Sequence, residues 1–227
     1  MEIIKKINTK IFMLKVKTFV FNSLQENTYI IYNESLECVI VDAGNHTTAE
    51  NDEILGYISG MKLAPKMLLS THSHIDHVMG NAVLSKEFDI PLAACPVERE
   101  YYNKVWMYAE VFGIKFTQDS CIYPTIDLAE GELVKIGGDE LKVLYTPGHA
   151  KGHVSFYAER DGFVLTGDTL FRRGIGRSDF PGGSYEQLEN SLKNVLYRLP
   201  DDTIVYPGHG PTTTIGEEKR NNPYITE

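Results

Sequence analysis

The sequence predicts an α/β protein in which two halves, each a β-sheet covered by helices, stack into a sandwich. Strand-like and helix-like segments alternate through the first half of the 227 residues, which is typical of layered α/β folds. The second half is richer in strands and carries one clearly amphipathic helix. No Pro-, Ser- or Gly-rich linker separates the halves, so residues 13–227 are expected to form one domain. Residues 1–12 show only weak periodicity and are expected to be a poorly ordered N-terminal extension.

The first half opens with three runs of β-branched and aromatic residues, at 14–21, 27–32 and 38–41, which predict an antiparallel entry to a sheet. Apolar residues at helical spacing then predict a helix over 47–62, with Thr47 or Thr48 as its N-cap. The alternation continues with a strand over 66–69, a helix over 78–88 and a strand over 90–94.

The middle of the chain carries aromatic residues at roughly helical intervals: Tyr101, Tyr102, Trp106, Tyr108, Phe112 and Phe116. Aromatic stripes pack into a core more often than they line a ligand site, so a core is the first interpretation. A lid or pocket wall is the alternative. Farther along, strands are predicted at 132–136, 140–145, 154–158, 163–165 and 203–206, and an amphipathic helix at 184–199.

Charge and composition limit the classes of partner. The chain has 22 basic and 31 acidic residues, and the formal net charge of −9 disfavours binding to nucleic acid. No apolar run approaches the roughly 20 residues that cross a bilayer, and the first ten residues do not resemble a secretory signal. We therefore expect a cytoplasmic protein that binds neither nucleic acid nor membrane. Cys38, Cys95 and Cys121 are widely spaced, which favours free, buried thiols over disulfides or a thiolate metal site.

Metal-ligand residue types are concentrated in residues 72–77, HSHIDH, directly after the predicted strand at 66–69. In extended backbone His72 and His74, two residues apart, lie on one side, whereas Asp76 and His77 turn toward a neighbouring point. Imidazole and carboxylate suit zinc, iron or manganese, and the lack of a nearby cysteine argues against a closed structural zinc site. The segment therefore predicts a reactive metal centre with ligands for two ions.

Three further loops each place a ligand residue directly after a glycine and a predicted strand, and these ligand residues are His149, Asp168 and His209. Glycine permits a sharp turn and a close backbone approach to an ion. Each loop alone is a weak signal, but with residues 72–77 they account for five of the seven histidines. Of the other two, His46 is interpreted as a loop residue and His153 as a support behind the ligands.

Taken in order, these motifs resemble the metallo-β-lactamase fold superfamily. Within it, GDTLF at 167–171, GRSDFPGGS at 176–184 and NPY at 222–224 resemble the short glyoxalase II-like, or hydroxyacylglutathione hydrolase-like, hydrolases. The resemblance runs from about residue 13 to residue 224. It implies an αβ/βα four-layer sandwich with the active site at one edge, between the two sheets.

The resemblance also implies roles for individual residues. One divalent ion would be held by His72, His74 and His149, a second by Asp76, His77 and His209, and Asp168 would bridge the two. Zinc is the first choice for both ions, and iron or manganese are the alternatives. Asp42 and Asp179 are expected to orient the ligand imidazoles from behind. Arg177 lies where these enzymes place a basic substrate-binding residue, and a guanidinium suits a substrate carboxylate.

The implied reaction is hydrolysis of a small-molecule thioester or ester by a hydroxide shared between the two ions, with Asp76 and Asp168 as the catalytic carboxylates. Glutathione-using glyoxalase II enzymes carry a helical C-terminal segment with basic residues. Here 18 residues follow His209, and Gly210 and Pro211 come directly after it. The use of glutathione, the acyl group and the thiol therefore stay open.

Three other functions compete with this interpretation. A persulfide dioxygenase of the same fold would hold one iron through His72, His149 and Asp168, although the loop of His209 favours a second ion. A phosphodiester hydrolase would use the same HxHxDH segment, but the net charge of −9 weighs against it. In a non-enzymatic protein, the metal would only stabilise the fold. A β-lactamase is disfavoured because the first residues do not resemble an export signal.

Overall fold

Two six-stranded sheets form the centre of the structure, a computed structural model that describes residues 14–226. The first sheet has the order β1 (Lys15–Phe21), β2 (Glu26–Tyr32), β3 (Glu37–Val41), β4 (Ala64–Leu69), β5 (Leu92–Ala94) and β6 (Ile126–Asp127). Its first three strands pair antiparallel, as predicted, and β3 to β6 are parallel. The expected domain boundary near residue 13 and the N-terminal extension lie outside the described residues.

The second sheet contains β7 (Leu133–Ile136), β8 (Asp139–Tyr145), β9 (Val154–Ala158), β10 (Phe163–Gly167), β13 (Ile204–Pro207) and β14 (Thr213–Thr214). Its spatial order is β14-β13-β10-β9-β8-β7, and a small separate ribbon pairs β11 (Leu170–Phe171) with β12 (Gly174–Ile175). Strands β10 and β13 are parallel, whereas the other neighbours in the six-stranded sheet are antiparallel. Each strand predicted in this half is present within two residues of its expected ends.

Helices cover the outer face of each sheet, which gives four layers in the order α, β, β, α. On the first sheet lie α1 (Thr48–Met61), α2 (Asn81–Phe88), α3 (Arg99–Tyr102) and α4 (Val105–Val111), and on the second α5 (Tyr185–Asn194) and α6 (Ile215–Asn221). Helix α1 begins with a capping box, in which Thr47 and Glu50 satisfy each other's backbone N–H groups. The helix predicted at 184–199 begins at its Ser184 cap but becomes a 3₁₀ turn at Leu196–Arg198.

Strands β2 and β3 of the first sheet are buried on both faces over almost their whole length. Ile30 and Ile40 pack against the helices, whereas their neighbours Ile31 and Val41 pack against the second sheet. This alternation follows from the two-residue repeat of a strand. It also explains why residues 29–32 and 38–41 are continuously apolar.

The aromatic stretch is divided between a core role and a pocket role. It forms a 3₁₀ turn and two short helices, α3 and α4, rather than one long helix. Tyr102 and Phe116 are buried in the core beneath the first sheet, and Trp106 packs against it. The other three, Tyr101, Tyr108 and Phe112, line a pocket. Both interpretations of the stripe are therefore correct for part of it.

The prediction of free cysteines is confirmed, because all three thiols are unpaired; Cys38 and Cys95 are buried and Cys121 is partly exposed. Within residues 14–226, no helix has the length and apolar composition that a membrane span requires.

Candidate metal centre

The predicted ligands all follow the carboxyl ends of strands at one edge of the sandwich. In the first sheet β3 leads to Asp42 and the parallel β4 leads to residues 72–77. In the second sheet β8, β10 and β13 run in one direction and lead to His149, Asp168 and His209. Loops that are far apart in sequence therefore meet at one place.

The first cluster consists of His72, His74 and His149, whose ligand atoms all lie within 4.8 Å of one another. His149 Nε2 is 2.8 Å from His74 Nδ1. Burial lowers the pKa of His72 well below its usual value and that of His74 to about 3. At neutral pH these two rings are therefore uncharged and keep a nitrogen lone pair for a cation.

The second cluster consists of Asp76, His77 and His209, again with ligand atoms within 4.8 Å. Asp76 Oδ2 is 3.1 Å from His209 Nε2 and 3.6 Å from His77 Nε2. Burial opposes charge on both partners, but attraction between them is stronger: His77 lowers the pKa of Asp76, and Asp168 and Asp76 raise the pKa of His77. The proton on His77 thus places positive charge beside ionised carboxylates. A bound metal ion would supply this positive charge instead of the proton.

Asp168 lies between the two clusters. Its Oδ1 is 3.3 Å from His77 Nε2, and its Oδ2 is 3.5 Å from His149 Nε2 and 3.6 Å from His209 Nε2. Burial alone would raise the pKa of this carboxyl, but the adjacent imidazoles, His77 foremost, hold it far below its usual range. The carboxylate is therefore ionised and reaches both clusters.

The chemistry of this centre fits divalent cations. Three buried atoms, His72 Nε2, His77 Nε2 and Asp168 Oδ1, have no hydrogen-bond partner among the described residues. An unsatisfied buried polar group costs about 1–3 kcal/mol, which bound cations would offset. Imidazole nitrogen and carboxylate oxygen without thiolate suit zinc, iron or manganese.

Two glycines allow the residues around the metal centre to pack closely together. A Cβ on Gly208 would overlap Oδ1 of Asp168. Gly167 has a φ of +45°, and a Cβ there would lie 2.5 Å from Thr71 Oγ1 and 2.7 Å from His153 Nε2. Close contact therefore requires glycine at both positions, and the positive φ is a second requirement for glycine at position 167.

Asp42 is in the position expected of a residue that orients a ligand. Its Oδ2 is 3.0 Å from His77 Nδ1 and accepts a hydrogen bond from Thr71 Oγ1 at 2.6 Å. The same hydroxyl is 2.9 Å from His72 Nδ1. Asp42 and Thr71 together therefore hold the rear nitrogens of two rings whose front nitrogens face the centre.

His153 lies behind the ligands. Its Nε2 accepts a hydrogen bond from the backbone N–H of Asp168 at 3.1 Å, and its Nδ1 is 3.1 Å from the hydroxyls of Thr146 and Thr169. Its ring stacks on His72 with 5.0 Å between centroids. With both ring nitrogens engaged, His153 supports the centre and is not among the converging ligand atoms.

The expectation that Asp179 orients an imidazole needs correction. Asp179 has 67% of its side chain exposed, and its carboxylate pairs with the Arg177 guanidinium at 2.8 and 2.9 Å. The oxygen that holds His149 Nδ1, at 2.7 Å, is the backbone carbonyl of Arg177. The reason is the turn after β12: it brings the backbone, and not the acidic side chain, against the ring. Arg177 itself stacks over Phe180 at 4.2 Å at the pocket.

Sequence reasoning missed Thr71 and Glu98. Glu98 is 1% exposed, and its carboxylate accepts hydrogen bonds from the backbone N–H and the hydroxyl of Ser73 and from the N–H of Gly152. It therefore joins the loop of His72 and His74 to the loop of His149. The sequence carries no signal for this role, because Ser73 and Gly152 are 25 and 54 residues away.

The two clusters open into a pocket of about 360 Å³. Its floor includes His74, Asp76, His149, Asp168 and His209. The centre is therefore buried on the side of the sheets and accessible on the other, as a catalytic site requires.

Comparison with known proteins agrees with this geometry. The profile of the metallo-beta-lactamase superfamily matches residues 22–209. The chain belongs to this superfamily. The predicted family and its αβ/βα fold are thereby confirmed, and the superfamily supports a metal-binding hydrolase as the general class.

Individual members of the superfamily are similar over nearly the whole chain. Hydroxyacylglutathione hydrolase GloC of Haemophilus influenzae is 33% identical over 221 residues, which cover 93% of this chain and 98% of GloC. The crystal structure of BLEG-1 B3 metallo-beta-lactamase superposes with a TM-score of 0.85 at 32% identity, covering 94% of this chain and all (100%) of that one. TTHA1623 in a di-iron-bound form gives a TM-score of 0.83 at 35% identity, covering 92% and 100%.

Proposed function

We propose that this superfamily member hydrolyses thioesters or esters of small molecules at a centre of two divalent ions. The observation that carries the proposal is the convergence of two ligand clusters, joined by Asp168, at the floor of one pocket. The 33% identity to a protein named hydroxyacylglutathione hydrolase supports the thioester class.

The proposed ligand sets follow the two clusters. His72, His74 and His149 would hold one ion, Asp76, His77 and His209 the other, and Asp168 both. Zinc is the proposed metal because imidazole-rich sites suit it. Iron is the alternative, since the similar TTHA1623 is described in a di-iron-bound form.

When bound, such ions lower the pKa of water toward about 7 and polarise a carbonyl oxygen. The chain's own residues supply orientation and charge. Asp76 and Asp168 are ionised and line the pocket, so they can accept hydrogen bonds from a water aligned for attack. Ser73 also lines the pocket, but its hydroxyl donates to buried Glu98, which argues against a serine nucleophile. Arg177 is the candidate for binding a substrate carboxylate.

The proposal is tested with an Asp168→Ala variant of the metal-loaded protein. Removing the carboxylate shared by both clusters should lower kcat/KM for thioester hydrolysis by more than about 100-fold. Asp52→Ala, an exposed change on α1, is the control and should retain wild-type activity. An Asp168→Ala variant as active as the wild type would refute the proposal.

The number of metal ions bound per chain distinguishes the proposed hydrolase from its main alternative, a persulfide dioxygenase. Two ions per chain, with loss of one in His209→Ala, agree with the hydrolase, whereas one iron per chain and no effect of His209→Ala would favour a persulfide dioxygenase. The substrate panel should include phosphodiesters and, because of the similarity to BLEG-1, a β-lactam.

A further inference from the structure

The pocket in front of the metal centre has a wall of apolar side chains drawn from separate segments. Its principal members are Leu24, Tyr108, Phe112, Phe171, Ile175 and Phe180. They come from the β1–β2 turn, helix α4, the β11–β12 ribbon and the turn that precedes α5. We call this set the apolar wall.

Part of the apolar wall is open to solvent. Leu24 is 38% exposed, Tyr108 38% and Phe112 49%. Tyr108 and Phe112 are four residues apart, so they lie on one side of α4 and at its end. Large apolar side chains exposed beside a pocket mark a surface that a ligand covers, because covering them removes apolar area from water.

The charges of the pocket limit what that ligand can be. Among the described residues that line it, Arg177 is the one Lys or Arg, and its guanidinium is already paired with Asp179 and stacked on Phe180. The other charged side chains are Asp76 and Asp168 at the floor, together with the clustered imidazoles. A substrate with several carboxylates would find one partly occupied partner beyond the metal centre. A volume of about 360 Å³ is also at the small end for ligand pockets.

We infer that the substrate is a small thioester or ester that presents an uncharged apolar group to the apolar wall and carries at most one carboxylate, beside Arg177. The inference rests on the proposed hydrolase function and adds its substrate class. In the reaction, water adds OH to the acyl carbon, the bond from that carbon to sulfur or oxygen breaks, and the leaving thiol or alcohol gains the proton. Tyr108 and Phe112 are then specificity-determining residues that touch the substrate without taking part in this exchange.

The test uses metal-loaded protein and two thioester series. One varies the acyl chain from acetyl to hexanoyl and benzoyl on N-acetylcysteamine; the other keeps acetyl and varies the thiol from methyl to phenylethyl. In one of the series kcat/KM should rise about fourfold per methylene until the pocket is filled. That series identifies which side of the substrate meets the apolar wall. S-lactoylglutathione, with its two glutathione carboxylates, should be a poorer substrate than the best apolar thioester.

Variants connect this dependence to the apolar wall. Tyr108→Ala and Phe112→Ala should flatten the chain-length dependence, and kcat/KM should fall most for the substrates with the longest apolar group. Met107→Ala is the matched control, since Met107 is on the same helix, is 52% exposed and does not line the pocket. It should keep the wild-type slope.

The outcomes are distinguishable. Hydrolysis with no dependence on chain length in either series, or a slope that Tyr108→Ala and Phe112→Ala leave unchanged, would overturn the inference and leave the hydrolase proposal standing. A preference for S-lactoylglutathione over all apolar thioesters would do the same. Failure of the loaded wild type to hydrolyse any thioester or ester would overturn both.

Discussion

At the scale of single residues, the candidate metal centre depends on groups that lie behind its predicted ligands. Thr71 is 1% exposed, and its hydroxyl contacts both Asp42 and His72. A hydroxyl in this position fixes which nitrogen of His72 carries the proton and where the other one points. We therefore expect Thr71 to influence metal binding although it is not one of the ligands.

Replacing Thr71 with valine tests this directly, because valine keeps the shape and removes the hydroxyl. Thr71→Val should weaken metal binding by about 10- to 100-fold, measured by competition with a chromophoric chelator. Thr71→Ser keeps the hydroxyl and should bind metal within about threefold of the wild type. Equal affinities for the valine and serine variants would show that the hydroxyl has no such role.

At the scale of elements, the ligand loops are held to one another as well as to their strands. The carboxylate of Glu98, in the 3₁₀ turn Pro96–Glu98 after β5, joins Ser73 to Gly152. This connection spans the two sheets, so a change at Glu98 should affect the alignment of both ligand loops.

A Glu98→Gln variant replaces one acceptor oxygen with an NH₂ group that faces backbone N–H donors. We expect the free energy of unfolding to fall by about 1–3 kcal/mol, as for other buried donors left without an acceptor. Urea denaturation of the metal-loaded protein measures this change. Glu100→Gln removes an exposed carboxylate paired with Lys104. It should leave the midpoint of urea unfolding unchanged. A Glu98→Gln transition that coincides with that of the wild type would contradict the expectation.

The elements that the sequence predicted well are those with local signals. The strand at 154–158 and the helix capped by Thr47 follow from residue type, periodicity and capping, which neighbours along the chain determine. The predicted ligands converge because each of their loops follows a strand end, and in three of these loops a glycine directly precedes the ligand. Glu98 was missed because its partners are distant, and Asp179 was misplaced because a turn decides which group faces His149. The division of the aromatic stretch depended on tertiary packing in the same way.

At the scale of the whole molecule, the metal centre bridges two sheets that each have a core of their own. One apolar cluster lies between the sheets and one under the helices on each outer face. The ions would therefore add stability without being required to form the layers.

Removal of metal by a chelator should lower the melting temperature while the far-UV circular dichroism at 25 °C stays native. Ligands that bind only the folded state stabilise it by about 4 kcal/mol at a thousandfold excess over Kd. Adding zinc back should restore the melting temperature, which differential scanning calorimetry follows. Collapse of the dichroism on chelation would show that the layers themselves require metal.

The hydrogen bonds between the beginning of β2 and the loop of His209 have a consequence for synthesis. The side-chain amide of Asn27 donates to the carbonyls of Pro207 and Gly210, about 180 residues later, and Glu26 forms an isolated bridge with His209. As the chain leaves the ribosome, about 180 further residues are synthesised after Asn27 before this partner emerges. Contacts between such distant segments close late in folding. In a nascent chain, the three imidazoles of the first cluster are therefore all synthesised before His209, and the second cluster is complete only after the loop of His209 closes on β2.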